Sequence, residues 1–336
     1  MLTNKSILPN APALAGLSFR GFQGEADYPK MVAVVNGSRD ADENDELETL
    51  ANVTNTYTHL VNCDPYEDML VVEVDGQMAG YARVSWRDAL DGSRLYEHLS
   101  FLMPRWRGRG VEREMLHFCE RRLHEIAAHH VAGQLRFLQS AVFHGETARR
   151  QLLESAGYAP ARHFYEMARP DLENIPEAPL PPGLEIRPAR PEHYRAVWEA
   201  LTEAFQDHWG NVSRGEEDYQ SWLGNDEFQP HLWQVAWDVA TNQVAGMVLG
   251  CIFEDENARF HRRQGWLEDI AVRRPWRRRG LARALIAESL RDLEARGMTR
   301  AALGVDTENT TGALRVYERM GFVPEKRHAV YRKSMP

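Results

Sequence analysis

The stretch RRPWRRRGLARAL, residues 273–285, sets five arginines within seven positions and then runs into a helical pattern. An arginine run alone is most often a solvated turn. Here the setting differs: the apolar segment Ile270-Ala271-Val272 leads through a proline turn into Arg277-Arg278-Arg279-Gly280-Leu281-Ala282. Leu281, Leu285, Ile286, Ser289, Leu290 and Leu293 then recur at helical spacing. A helix N-terminus presents N–H groups without intrahelical partners and about half a positive charge. Gly280 lets the backbone approach a ligand, Ala282 keeps the first turn small, and Arg277, Arg278 and Arg279 add charge-assisted bonds. The reading is a strand–turn–helix cradle for a pyrophosphate. A Walker loop is absent, and Gly108-Arg109-Gly110 lacks the third glycine of a dinucleotide fingerprint.

The rest of the chain points to a local anion and away from a polyanion. Over 336 residues it carries 40 Lys+Arg against 49 Asp+Glu, a formal net charge of −9, which disfavours a nucleic-acid partner. Cys63, Cys119 and Cys251 form no CxxC pair, so neither a disulfide framework nor a zinc knuckle is expected, and a cytoplasmic location fits. No apolar run reaches the ~18 residues of a membrane span. The opening MLTNKSILPNAPALAGL is broken by two prolines and does not read as a signal peptide. The histidines of HFCERRLHEIAAHH (117–130) fall on a charged helix and read as a solvated face, with no metal expected.

Prolines at 170, 176, 179, 181, 182 and 188 mark an extended linker, and the segments flanking it resemble each other. LSFRGFQGEADYPKM (17–31) matches LEIRPARPEHYRAVW (184–198) in outline. RWRGRGVEREML (105–116) answers PWRRRGLARALI (275–286) at an offset of 170, and ESAGYAPARHFYEM (154–167) answers ERMGFVPEKRHAVY (318–331) at 164. Three landmarks in one order at nearly constant offset indicate a duplicated domain. The expected division is 15–169, a linker at 170–183, and 184–336.

In the second copy, 191–208 reads as a helix, HLWQVAWD and QVAGMVLGCIFE as strands paired around Thr241 and Asn242, and GWLEDIAV as a third strand. Gly297 stops the helix that begins at Leu281; AALGVD, TTGALRVYERMG and VYRKSM follow as strand, helix and last strand. The expected architecture is α/β.

Val272, Pro275 and Arg277 to Ala282, followed by Asn309, Tyr317, Gly321 and Phe322, resemble the motif of the GNAT acetyltransferase superfamily. The match is dense in the second half and only an outline in the first, most like tandem GNAT proteins of the mycothiol synthase-like group. The resemblance implies two tandem GNAT-like domains, each a mixed, mostly antiparallel twisted sheet flanked by helices. It implies acetyl-CoA as co-substrate. The backbone of Ile270, Ala271 and Val272 would hold the pantetheine arm, and the amides from Arg278 to Arg283 the pyrophosphate.

Direct acetyl transfer to an amine needs a base for the ammonium and an acid for the departing thiolate. Tyr317 sits where the family places its acid, with Asn309 eight residues upstream; its bland alternative is packing against Phe322. On the strand, alternation puts Trp266, Glu268 and Ile270 on one face and Asp269 on the other. Glu268, four before Val272, is the expected base, with a surface carboxylate as the alternative. Six before stands Trp266, where mycothiol synthases resemble a pattern with a carboxylate. Asp207, His208, Trp209 and Trp222, in the stretch 204–223, together with Asp269 and Asp306, are weaker candidates for touching a small-molecule amine.

The first copy departs where the chemistry would demand agreement. Ala282 corresponds to Glu112, a carboxylate among amides meant for phosphate, and Tyr317 corresponds to Leu153. FHGETARRQLL offers no counterpart of Asn309. The expectation is an N-acetyltransferase working in its C-terminal domain; a non-enzymatic acyl-CoA sensor is the alternative.

Overall fold

The computed structural model describes residues 11–335; residues 1–10, most of the stretch read for a signal peptide, lie outside the described residues. Two units are formed. Unit 1 runs to Arg162 and takes in Gly215–Ser221 and the C-terminal residues from His328; unit 2 comprises His163–Arg214 and Trp222–Arg327.

Unit 1 contains β1 (Leu17–Arg20), α1 (Tyr28–Ala41), α2 (Leu50–Thr58), β2 (Met69–Val74), β3 (Gln77–Asp88), β4 (Arg94–Leu102), α3 (Val111–Ala128), β5 (Arg136–Val142) and α4 (Thr147–Ser155). β1 to β4 pair antiparallel in sequence order, and β4 pairs parallel with β5. Alternation along these strands gives the sheet two apolar faces. One packs Met115, Cys119 and Leu123 of α3; the other packs Met31, Val34 and Val35 of α1.

β6 (Ala159–Arg169) follows. Unit 2 then contains β7 (Leu184–Arg187), α5 (Tyr194–Ala204), β8 (Gln234–Asp238), β9 (Gln243–Cys251), α7 (Glu254–Arg259), β10 (Gln264–Val272), α8 (Leu281–Ala295), β11 (Arg300–Asp306) and α9 (Ala313–Arg319); α6 (Glu216–Leu223), between α5 and β8 in the chain, belongs to unit 1 as far as Ser221. β7 to β10 pair antiparallel in sequence order, β10 pairs parallel with β11, and β11 antiparallel with β6. The β8–β9 turn falls at Thr241-Asn242 as expected, with Asn242 in the left-handed region at φ +55°. Leu285, Ile286 and Leu290 of α8 are fully buried against one sheet face. At about 1.5–3 kcal/mol for each buried side chain, that stripe anchors the helix whose N-terminus forms the cradle. Val197 and Leu201 of α5 cover the other face.

The last strand, β12 (Val323–Ser334), is longer than VYRKSM suggested and lies elsewhere. Its residues Ala329–Ser334 pair with Phe137–Val142 of β5, completing unit 1. Phe164–Arg169 of β6 pair with β11, completing unit 2. Each unit therefore takes in the strand that follows the other repeat's last helix, so the units cross the division expected at 15–169 and 184–336. The stretch 204–223, read as one substrate-selecting segment, also divides. Asp218 pairs with Arg87 at 2.6 Å and Glu217 with His59 at 3.0 Å, both within unit 1.

Candidate active site

In unit 2, β10 and β11 pair only from Gln264↔Arg300 to Trp266↔Ala302 and then part. β10 stays bonded to β9 as far as Val272↔Gly246, so its edge toward β11 is unpaired from Leu267 onward. A cavity of about 710 Å³ opens there. Ile270, Ala271 and Val272 line one wall, Arg277 to Arg283 another, and Thr310, Thr311, Ala313, Val316 and Tyr317 a third, apart from Arg279, which is not among the lining residues.

The cradle has the backbone its sequence called for. Gly280 is the left-handed N-cap of α8 at φ +89°, with no side chain bonded to the first turn, so the amides of that turn are unspent. Arg278 is also left-handed, at φ +62°, a conformation costly for a residue with a Cβ.

The six arginines of residues 273–285 divide into two groups. Arg273 bonds Glu203 at 2.8 Å and the carbonyl of Val244 at 2.9 Å. Arg274 pairs with Asp207. Arg277 donates to the carbonyls of Val272 at 2.9 Å and Ala204 at 3.1 Å, and to Asp207 at 2.8 Å. Arg278, Arg279 and Arg283 make no hydrogen bond or ion pair among the described residues. The guanidinium of Arg277, expected to bind the anion, is thus spent on the fold; its neighbours are free.

Tyr317 lines the cavity from α9. Its ring is 6.4 Å from that of Phe322, so the packing role and the cavity-facing role coexist. Nothing among the described residues bonds its hydroxyl, and burial raises the phenol's pKa above the usual range. Asn309 does not line the cavity; its Oδ1 accepts the amide of Thr311 at 2.8 Å and shapes the turn before α9.

The expected alternation along β10 is broken. A register shift between Leu267 and Asp269 makes Glu268 the extra residue of a β-bulge. Leu267, Ile270 and Val272 consequently share the α8 face, while Ala271 packs with α5. Glu268 is exposed and is not among the lining residues. Asp269 is half-buried; burial raises its carboxyl, with Arg214 opposing.

Of the weaker candidates, Asp207 and His208 line the cavity. Arg274 and Arg277 hold the Asp207 carboxyl far below the usual carboxylate range. The Trp209 ring lies 6.5 Å from Phe164, and Asp306, at the end of β11, accepts the amide of Glu308 at 3.0 Å. Trp222 belongs to an aromatic cluster with Trp233 and Phe228, at 5.3 and 4.9 Å, away from the cavity.

Unit 1 repeats the frame and sets charged side chains in it. Arg107 bonds the carbonyl of Leu102 at 3.0 Å and Asp42 at 2.7 Å, the counterpart of Arg277 with Val272 and Asp207. β4 and β5 part after Glu97↔Gln139. Into that gap comes Arg149, whose place in the repeat (149 + 164 = 313) is that of Ala313. Its guanidinium bonds Ser100 at 2.7–2.8 Å, the hydroxyl of Ser140 at 2.7 Å and the carbonyl of Ala141 at 3.3 Å. Glu112 accepts the amide of Gly108 at 2.7 Å. Arg149 and Ser100 stand between two smaller cavities, one of about 270 Å³ that reaches Gly108 and Glu112 and one of about 380 Å³ that reaches Ser140 and Phe143. Sequence comparison singled out Glu112; Arg149 was readable only as a mismatch with Ala313.

The model of the "Acetyltransferase (GNAT) family" matches residues 36–166 and again 194–322. The chain belongs to the GNAT family. Mycothiol acetyltransferase of Salinispora tropica is 30% identical over 272 residues, covering 80% of this chain and 81% of the relative. That of Salinispora arenicola is 28% identical over 286 residues, covering 80% and 82%. A GCN5-related N-acetyltransferase from Sphaerobacter thermophilus superimposes with a TM-score of 0.68 at 26% identity over 95% of both chains. A tandem GNAT protein from the clavulanic acid biosynthesis pathway shares the fold, with a TM-score of 0.64 at 15% identity over 95% of this chain and 99% of that one. The protein is a tandem GNAT acetyltransferase. Among the described residues no helix is long and apolar enough to cross a membrane, and no group of His, Cys, Asp and Glu could hold a metal.

Proposed function

We propose that this GNAT protein moves an acetyl group from acetyl-CoA to a primary amine of a small molecule by direct attack, and that unit 2 alone does so. One observation carries the reading: a single cavity joins the unpaired edge of β10, the unspent amides at Arg278 to Arg283, and the Tyr317 hydroxyl. The strand edge at Ile270 to Val272 offers N–H and C=O groups to an extended pantetheine arm, as an added strand would use them. The first turn of α8, with Arg278, Arg279 and Arg283, suits the pyrophosphate.

When the C–S bond breaks, sulfur leaves with the electron pair. Tyr317 is the group on the cavity wall that can give it a proton, and its high pKa keeps it protonated until that moment. Glu268, the strand carboxylate expected as base, is exposed and stands outside the cavity. The relatives' name points to a small molecule as acceptor. Trp266 stands where that resemblance called for a carboxylate, so the acceptor is defined here only as a small primary amine.

The test is release of free CoA thiol in the presence of primary amines. Tyr317→Phe should lower turnover ~10²-fold or more while acetyl-CoA still binds. Binding with no thiol release from any amine would favour an acyl-CoA sensor instead.

A further inference from the structure

We propose that His208, and not Glu268, is the catalytic base that takes the proton from the amine; the proposal rests on the acetyl-transfer reading above. Of the cavity-lining side chains, only Asp207, His208, Tyr317 and the arginines titrate. Asp207 is held by Arg274 and Arg277 and is a poor proton acceptor. The arginines are charged, and Tyr317 is occupied as the acid. His208 remains.

Its position fits the task. The imidazole lies on the Phe205 ring, 4.2 Å between centroids, and neither ring nitrogen has a hydrogen-bond partner among the described residues. Four charged groups act on it: Asp306 from the end of β11, Arg277 and Asp207 in the cavity wall, and Arg214 farther along its own loop. Burial outweighs the pull of Asp306 and lowers the pKa, which favours the neutral ring that can accept a proton. An unpartnered base and an unpartnered acid thus line the cavity that also holds the unpaired edge of β10.

The steps balance. The ammonium gives one proton to His208, and the freed lone pair forms the C–N bond to the acetyl carbon. The C–S bond breaks, Tyr317 protonates the sulfur, and the second N–H proton returns through water to Tyr317. The imidazolium releases its proton to solvent. Products are the acetamide, free CoA and one proton.

The test uses the full chain with acetyl-CoA and glucosamine, spermidine or L-lysine as acceptor. For the amine turned over fastest, His208→Gln should lower kcat/KM about a hundredfold or more and abolish the acid limb of its pH profile. The Kd for acetyl-CoA should stay within twofold, which also shows that the variant folds. Glu268→Gln should keep both rate and limb; the opposite pattern overturns the proposal. Histidine-ring NMR, with the His208 signal assigned by its loss in His208→Gln, decides the matter even without turnover. A ring neutral at pH 7 and shifted by acetyl-CoA supports it, and a ring protonated at pH 7 or unmoved by acetyl-CoA overturns it. Failure of acetyl-CoA itself to bind would instead remove the reading on which the proposal stands.

Discussion

Arg277 bonds the carbonyl of Val272 at the end of β10 and, 2.8 Å away, the carboxylate of Asp207 beyond the end of α5. Arg107 makes the same two attachments in unit 1, to Leu102 and Asp42. The arginine most like an anion ligand in sequence is thus a brace common to both repeats. Arg277→Ala and Arg107→Ala should each cost about 2 kcal/mol, read as a shift in urea midpoint at constant m-value. Only Arg277→Ala should also weaken acetyl-CoA, because its loop carries the cradle.

Unit 1 has its own groups where a ligand would go, so isothermal titration of the full chain should show one acetyl-CoA per chain. Transplanting one of those groups makes the point in reverse. Ala282→Glu places a carboxylate within reach of the Arg278 amide, as Glu112 reaches Gly108. Affinity for acetyl-CoA should fall tenfold or more, about 1.4 kcal/mol, with little change in thermal stability.

His98 is buried against Tyr158, with 3.0 Å between Nε2 and the hydroxyl, and its pKa is lowered to about 3 by burial and by Arg149 and Lys333. The sign follows from the unfolded value of about 6.5. Above it neither state takes the proton and stability is intact. As pH falls from 6.5 toward 3, the unfolded chain binds a proton that the folded chain refuses, and stability is lost. Between pH 6.5 and 4.5 the loss is about 2–3 kcal/mol from this group. His98→Phe should flatten the urea-midpoint-against-pH curve by that amount, whatever its cost at pH 7. An unchanged slope would contradict the assignment.

Arg278 holds a left-handed backbone where unit 1 has Gly108 at φ +69°. Arg278→Gly relieves about 1–2 kcal/mol of strain, and glycine's extra freedom in the unfolded chain takes back roughly 0.5–1. The melting temperature should therefore hold or rise slightly while acetyl-CoA binding weakens severalfold. A variant that lost stability and kept affinity would show that the arginine is structural.

The cradle was legible because everything it needs is local: Gly280, Ala282 and a helical apolar stripe lie within fourteen residues. Tyr317 was legible through its spacing from Gly321. Arg149 was not, since its meaning depends on Ser100, forty-nine residues away, and on a gap between strands that no local pattern records. The bulge at Glu268 also escaped notice, because one inserted residue changes which side chains face the helix without altering composition. The strand exchange was invisible for a different reason. β6 and β12 follow near-identical helix ends, at Gly157 and Gly321, so either reads equally well as the close of either repeat.

That exchange has a consequence for the order of synthesis. The first unit cannot close its sheet on β12 until Ser334, nearly two hundred residues after β5, has left the ribosome. Until then β5 presents an open edge, a site for mispairing, and the strand nearest at hand is β6, which follows α4 directly. A nascent chain halted near the proline linker would hold the two strands in the arrangement of a single-copy fold. The final pairing then requires β6 to leave that edge to β12 and to pair with β11 instead.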